Sequence, residues 1–393
     1  NIYLRAEKTS DGQEYYSYLV VYVDDVLCIN KDPKKVLDMI NRDYRLKELP
    51  AQPTMYLGAD ISKYNINRVG TTCWAMSSDS HIKKALDVVT NRMRECGVTF
   101  KSSNKTTEHP FSSQSYRPEL DISEECDEDQ VEFYQSLVGI LRWLCEIGRL
   151  DILTETSLLS TYLTCPRVGH LHQALHVFKY LSDHKRSKVV FDPNYVDIND
   201  NHLPHEERAI NKAKFMSELY PDAVEEIPTN APKPKGRPVQ ITCFVDADHG
   251  GDKITRRSRT GVLIMINKAP IMWYSKRQNT VETSTYGSEL VAMRLAVEMI
   301  KALKYKLRMF GIEILEDETK IFGDNNAVII NTSVPESTLK KKHHSINYNY
   351  IRESVAAGIV LIYKVDTGSN LADLFTKLLD RVRRKDMVQK IMR

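Results

Sequence analysis

Much that would place this chain quickly is missing from it. Only seven cysteines occur in 393 residues, and no two stand as C-x-x-C. Their scatter indicates neither a zinc site nor a disulfide framework and makes a reducing interior compartment the default. No apolar run approaches the length of a membrane span, and no signal-peptide pattern opens the chain. Charge of one sign is lacking too: 55 Lys and Arg face 52 Asp and Glu, a formal net charge of +3. That excess is too small to imply a nucleic-acid partner, so any basic footprint must be local. Local clusters do occur, at Arg256, Arg257 and Arg259, at Lys340 to Lys342 followed by His343 and His344, and at Arg381, Arg383, Arg384 and Lys385. No internal repeat is visible. What remains is ordinary globular composition, 42% hydrophobic and 27% charged, and length for two or three domains. The chain opens on Asn1, on the approach to a strand, and reads as a fragment of a longer product.

Two breaks organise the sequence. The polar stretch 101–130, with its acidic run DISEECDEDQ, reads as a long loop, and the Pro-rich stretch 193–237 reads as an interdomain linker. Val131 to Ile147, Leu150 to Leu163 and His172 to Leu181 carry helical spacing. The expected division is 1–100, then a loop with a helical unit over 101–192, the linker 193–237, and a last domain over 238–393. In that domain QITCFVDADHGG, GVLIMIN and IMWYSK form an antiparallel meander. A long helix follows, with Leu290, Met293, Val297 and Ile300 on one buried face and Gly311 closing it. KIFGDNNAVII and IVLIYKVDTGSNLADLFTKLL each read as strand, acid, helix, with Ser369 or Asn370 as N-cap. The expected class is α/β with a mixed sheet.

Acids mark two places. Asp24 and Asp25 sit at the centre of LVVYVDDVLCI, between two β-prone runs. Adjacent carboxylates in an apolar run must be solvated at a hairpin tip or neutralised by cations, and both readings fit that spacing. In the last domain Asp246 ends a strand, Glu289 opens the long helix, Asp324 follows the fourth strand and Asp373 lies in the first turn of what reads as the last helix. Such positions converge on one sheet edge, where two magnesium ions about 4 Å apart would support in-line phosphodiester cleavage. The alternative is four unrelated surface acids.

FVDADHGGD, WYSKRQNTVETSTYGSEL, FGDNNAV, KKHHSINYNYIRE and NLADLFTK resemble, in order, the RNase H domain of copia-type LTR retrotransposon Pol polyproteins. YVDD, YLGADI, YQSLVGILRWL and RLDI resemble the end of the same polyprotein's reverse transcriptase and its connecting region. The resemblance covers nearly everything outside the linker. It implies a C-terminal polyprotein fragment: a partial palm and thumb, a connection region, and an RNase H domain with a five-stranded mixed sheet. It makes Asp246, Glu289, Asp324 and Asp373 metal-binding catalytic carboxylates of the nuclease, and Asp24 and Asp25 the polymerase pair, with Mg2+ as cofactor and Mn2+ as substitute.

The implied partners are an RNA/DNA hybrid, a template-primer and the polyprotein's upstream polymerase region, in a cytoplasmic virus-like particle or the nucleus. Tyr56 and Gly58 match the place that holds the primer end. Trp273, Ser275, Lys276, Arg277 and Gln278 match a hybrid-tracking stretch, with Lys342 and His343 as further contacts. The pattern is departed from at His249, where the family has Trp, at Gly287, where it has an acid, and at His344 and Ser345. No histidine stands in DTGSN, where cellular RNases H have one. Two rivals remain: an integrase-like strand-transfer enzyme, disfavoured by the order Asp, Glu, Asp, Asp, and an inactive nucleic-acid-binding module.

Overall fold

The computed structural model describes residues 1–47, 50–66, 70, 72–95, 106–196, 216–315 and 319–393. The first sheet is an antiparallel meander of β1 (Ile2–Lys8), β2 (Glu14–Tyr22) and β3 (Asp25–Ile29), followed by α1 (Pro33–Asp43). Asp32 caps α1 by accepting from the Lys35 amide, and Pro33 fills the first helical position, where no amide is needed.

The second sheet joins β4 (Met55–Tyr56), β5 (Ala59–Asn65), β6 (Thr72–Ser77) and β7 (Lys188–Val190). Beside it lie α2 (Asp79–Glu95), α3 (Glu128–Glu146) and α5 (Val168–Asp183), together with α4 (Leu153–Leu159), whose Ser157 reaches across to Ser275 in the last domain. One buried core contains Ile82 and Val89 of α2, Leu137 and Leu141 of α3, and Phe178 and Leu181 of α5. The expected boundary near residue 100 therefore cuts across a single packed unit. Residues 106–127 form a loop with one 3-10 turn (Pro118–Leu120), and an Asp127–Gln130 capping box starts α3.

The third sheet has the order β10-β9-β8-β11-β12, built from β8 (Ile241–Asp248), β9 (Arg259–Ile266), β10 (Ala269–Arg277), β11 (Thr319–Gly323) and β12 (Val360–Lys364). Its first three strands are antiparallel, and β11 runs parallel to both β8 and β12. α6 (Thr285–Met309) buries Leu290, Met293, Val297 and Ile300 against Cys243, Val245 and Ile264. At the end of α6, Gly311 has φ +66°, and the Tyr16 ring from the first sheet takes the space a side chain would need. α7 (Asn326–Ser333), α8 (Ser345–Ala356) and α9 (Arg381–Ile391) complete the layer.

Two expectations need correction. Asp373 does not lie in the last helix: Asn370 caps a separate 3-10 turn, Leu371–Phe375, and α9 starts later from its own Asp380 cap. Nor do the described residues of the supposed linker run free. Met216 is buried in the core of the last domain, and Glu225 pairs with Lys304 and Arg308 of α6.

The helical unit and the last domain share a seam. Leu150 and Val189 pack with Leu263, Phe375 and Met387, and the Thr154 hydroxyl donates to the Leu374 carbonyl (2.7 Å). Inside the seam Arg149 and Asp151 form a fully buried bidentate pair (2.8 and 2.7 Å), and Tyr180 donates to the same carboxylate (2.9 Å). Among the described residues no helix is long and apolar enough to cross a membrane.

Candidate active site

The site forms where β8, β11 and the start of α6 meet. Pairing of Phe322 with Phe244 in parallel register sets Asp324, two residues on, level with Asp246. Asn325 accepts from the amides of Ala327 and Val328, turning the chain into α7 directly after Asp324. Ser284 caps α6 and places Glu289 in its second turn. The carboxylates of Asp246, Glu289 and Asp324 offer oxygens that all lie within 4.8 Å of one another.

Asp373 reaches Asp246 from another direction. Asp246 pairs with Gly261 on β9, and a β-carbon there would stand 2.7 Å from the Thr376 methyl and 2.8 Å from the Ala372 carbonyl oxygen. Glycine thus lets the 371–375 turn lie directly on the sheet. The Asn370 amide fastens that turn by donating to the Val245 carbonyl (2.9 Å).

Asp246 and Asp373 are 0% exposed. Burial, with the Asp373 charge added, pushes Asp246 up to about 6. Burial and then the charges of Asp246 and Asp324 push Glu289 well above the ordinary range. Cations already answer part of this crowding. Lys377 Nζ sits 3.2 Å from Asp246 Oδ1 and 2.6 Å from Asp373 Oδ1, Arg383 binds the other oxygen of Asp373, and the Thr376 hydroxyl donates to Asp246. Converging hard oxygen donors are the donor set that suits magnesium or manganese.

Lys377 and Thr376 escaped the sequence reading, although Lys377 stands four residues after Asp373, and Arg383 stood there only as part of a basic cluster. Asp248 escaped it as well. Strand alternation puts Asp248 on the same side as Asp246, and burial pushes its carboxyl up to about 7. It accepts from the Arg259 amide. A cleft of about 270 Å³ opens beside it, where Arg117, Lys253, Arg257 and Arg277 stand among the acids Glu119 and Asp252.

The expected nucleic-acid contacts fall into different settings. Trp273 is half-buried in the seam, its indole donating to the Cys145 carbonyl (3.0 Å). The Ser275 carbonyl accepts from Ser157 (2.7 Å), and Gln278 is buried, donating to Thr260 and to the Ser288 carbonyl. Arg277 lines the cleft, paired with Asp252 (2.6 Å), while Lys276, Lys342 and His343 are exposed. His249 meets the Ser288 hydroxyl at 3.5 Å.

Asp24 and Asp25 lie elsewhere, exposed at the β2–β3 hairpin. Tyr22 pairs with Asp25, so Val23 and Asp24 form the two-residue loop. Tyr56 and Gly58 flank the β4–β5 hairpin, where Leu57 and Gly58 both take positive φ (48° and 79°) as a type I′ turn requires. The Tyr56 hydroxyl is buried without a hydrogen-bond partner, and its pKa is raised by burial and by the Asp25 charge. Among the described residues no third acid, histidine or cysteine joins Asp24 and Asp25 in a metal-binding group.

Three antiparallel strands, two parallel ones, helices packed on them and carboxylates gathered around the ends of β8 and β11 make this a mixed α/β fold. Solved neighbours include the N-terminal RNase H domain of a Mycobacterium tuberculosis protein (12% identity, TM-score 0.28, 38% of this chain and 97% of that one). Another is LC11-RNase H1 in complex with RNA/DNA hybrid (17%, TM-score 0.26, 35% and 94%). At such scores the fold class rests on strand order and layering.

No family model matches the chain. Curated relatives include the Retrovirus-related Pol polyproteins from transposon RE1 of Arabidopsis thaliana and from transposon TNT 1-94 of Nicotiana tabacum. The first is 23% identical over 378 residues, 95% of this chain and 21% of that protein; the second is 24% identical over 374 residues, 94% and 24%. The Putative transposon Ty5-1 protein of Saccharomyces cerevisiae is 26% identical over 304 residues, 76% of this chain and 77% of that one. The chain is thus similar over nearly its whole length to copia-type retrotransposon Pol polyproteins, and it spans about a fifth to a quarter of the first two.

Proposed function

We propose that residues 238–393 form a divalent-cation-dependent nuclease that hydrolyses the RNA strand of RNA/DNA hybrids. The observation that carries this reading is the meeting of Asp246, Glu289 and Asp324 within 4.8 Å at a largely buried site. These three, with Asp373 beside Asp246, would hold magnesium or manganese. A pair of such ions supplies an activated water and stabilises the leaving oxygen of an in-line phosphodiester cleavage. The chain supplies the rest: Thr376 and Lys377 hold Asp246 in place, Arg383 holds Asp373, and the arginine-lined cleft accepts the phosphate backbone. Hybrid binding therefore weakens steeply as salt rises, and preference over duplex DNA comes from 2′-hydroxyl contacts and groove shape.

The hairpin at Asp24 and Asp25 belongs to an RNA-directed DNA polymerase portion that is incomplete as it stands. Nucleotide addition needs ions held by more than two adjacent, exposed acids, and the described residues offer no third. The rival reading, an inactive binding module, predicts hybrid binding without cleavage. The deciding experiment measures RNA-strand cleavage by the 393-residue chain in magnesium. We expect cleavage that excess chelator stops and that Asp246→Asn abolishes with hybrid binding retained. Cleavage that survives Asp246→Asn, or no cleavage by the unaltered chain, overturns the reading.

A further inference from the structure

A second group of metal-ligating side chains lies outside the acidic site. Glu282 stands in the loop between β10 and α6, and His343 and His344 stand in the 3-10 turn (Lys342–His344) that leads into α8. One ligand atom from each lies within 4.8 Å of the others. The His344 ring is 1% exposed, yet its Nε2 has no hydrogen-bond partner and looks across 3.7 Å at Glu282 Oε2. A buried polar nitrogen left without a partner is costly and rare.

The space between these side chains exists because residue 287 is glycine. A β-carbon there would stand 2.7 Å from Glu282 Oε2 and 2.9 Å from the His344 ring.

We propose that Glu282, His343 and His344 form a second metal site, one that takes Zn2+ or a similar borderline divalent ion. Two imidazole nitrogens and one carboxylate oxygen are a donor set for zinc, whereas the all-carboxylate cluster suits magnesium. Around a tetrahedral ion with bonds of about 2.0–2.1 Å, ligand atoms stand about 3.3 Å apart, so the 3.7 Å separation closes with a small shift. The fourth position is left to water. Lys341 lies at the edge, its Nζ near the hydroxyls of Thr283 (3.3 Å) and Ser284 (3.2 Å); its charge moderates the affinity. A bound ion cross-links the loop before α6 to the turn before α8 and so braces the end of the helix that carries Glu289. The site stands whether or not the chain is a nuclease.

The test uses the full 393-residue chain, stripped with chelator and returned to excess Mg2+ to occupy the carboxylates. Zn2+ is titrated by calorimetry, and Co2+ by its visible absorption. One equivalent should bind. His344→Gln, His343→Gln and Glu282→Gln should each weaken binding about tenfold or more, since losing even a residue that only orients a ligand costs about that much, while Asp324→Asn leaves it unchanged. His343 is exposed, so its variant still reports if the buried His344→Gln fails to fold. No binding by the unaltered chain, binding that survives His343→Gln, or binding lost with Asp324→Asn overturns the proposal.

Discussion

The molecule carries acids in two β-rich settings that look alike in sequence and differ in cost. At the β2–β3 hairpin Asp24 and Asp25 are exposed, and water screens their repulsion. On the third sheet Asp246 and Asp373 are wholly buried, and Asp246 and Glu289 have raised pKa values. One site is under electrostatic tension that a cation relieves; the other is an exposed acidic pair that the fold tolerates at little expense. A carboxylate's readiness for metal is therefore set by what surrounds it.

The largest expected effect tests that contrast directly. Glu289→Gln and Asp324→Asn should each lower hybrid cleavage by about 10²–10³ or more, the scale of losing a preorganised electrostatic group. Asp24→Asn should leave cleavage unchanged in the same assay, because its hairpin belongs to another sheet. Primer extension on a homopolymer template should be absent for the 393-residue chain. A matching loss in Asp24→Asn would break the comparison, and extension would show that the hairpin is more than an exposed acidic pair.

Asp151 sharpens the point, since it is as buried as Asp246 and yet under no such tension. Burial alone would raise its pKa, but Arg149 and the Tyr180 hydroxyl bring it down to about 2. Its folded pKa lies below the ordinary value. The stability it contributes is therefore present above about pH 4 and lost as pH falls through about 2. Asp151→Asn should destabilise the chain by about 3–5 kcal/mol at neutral pH, because Arg149 is left buried and uncompensated. It should also flatten the acid limb of the stability profile. Denaturant melts between pH 7 and 2 check this, and an Asp151→Asn chain as stable as the parent would remove the pair from the account.

Much of this was legible in the sequence. The spacing of Leu290, Met293, Val297 and Ile300 was enough to find α6 and its buried face, and acids at strand ends and helix starts picked out four carboxylates, Asp373 among them though in a separate 3-10 turn rather than the last helix. Less legible was anything that depends on contact across the chain. Lys377 reads as a surface lysine until the 371–375 turn is seen lying on Gly261. Gln278 and Trp273 match a nucleic-acid-tracking stretch, yet a buried amide and a seam indole have no sequence signature apart from exposed ones. Residues 216–237 look like a linker because Pro recurs among Glu, Asn and Lys, while Met216, Tyr220 and Glu225 fasten that stretch to α6 and its core.

Lys377 offers a smaller, sharper test of the tension itself. Removing it by Lys377→Met leaves Asp246 and Asp373 with one cation fewer. The metal-free chain should lose about 2 kcal/mol, less than a fully buried pair would cost because the lysine side chain is 35% exposed. The stabilisation gained from Mg2+ should grow in return, and its midpoint should move to lower concentration. Thermal melts with and without Mg2+ read both. Equal Mg2+ stabilisation in the two chains would mean that Lys377 is no stand-in for the ion.

The smallest effect lies at the tip of the hairpin. Val23 has φ +54° and is 86% exposed, in a two-residue loop whose other member, Asp24, keeps negative φ. Positive φ at the first central position alone is the signature of a type II′ turn, which favours glycine there. A β-branched residue in that conformation costs about 1–2 kcal/mol, and exposure leaves no packing to offset it. Val23→Gly should relieve the strain but add about 0.5–1 kcal/mol of chain entropy to the unfolded state. The net expectation is a gain of about 0–1.5 kcal/mol, read as a slight rise in melting temperature with hybrid cleavage untouched. The hairpin would then hold its strain in the backbone beside its acids, where the acidic site on the third sheet holds it as charge repulsion. A destabilisation of about 1 kcal/mol or more would instead show that Val23 makes contacts worth more than the turn costs.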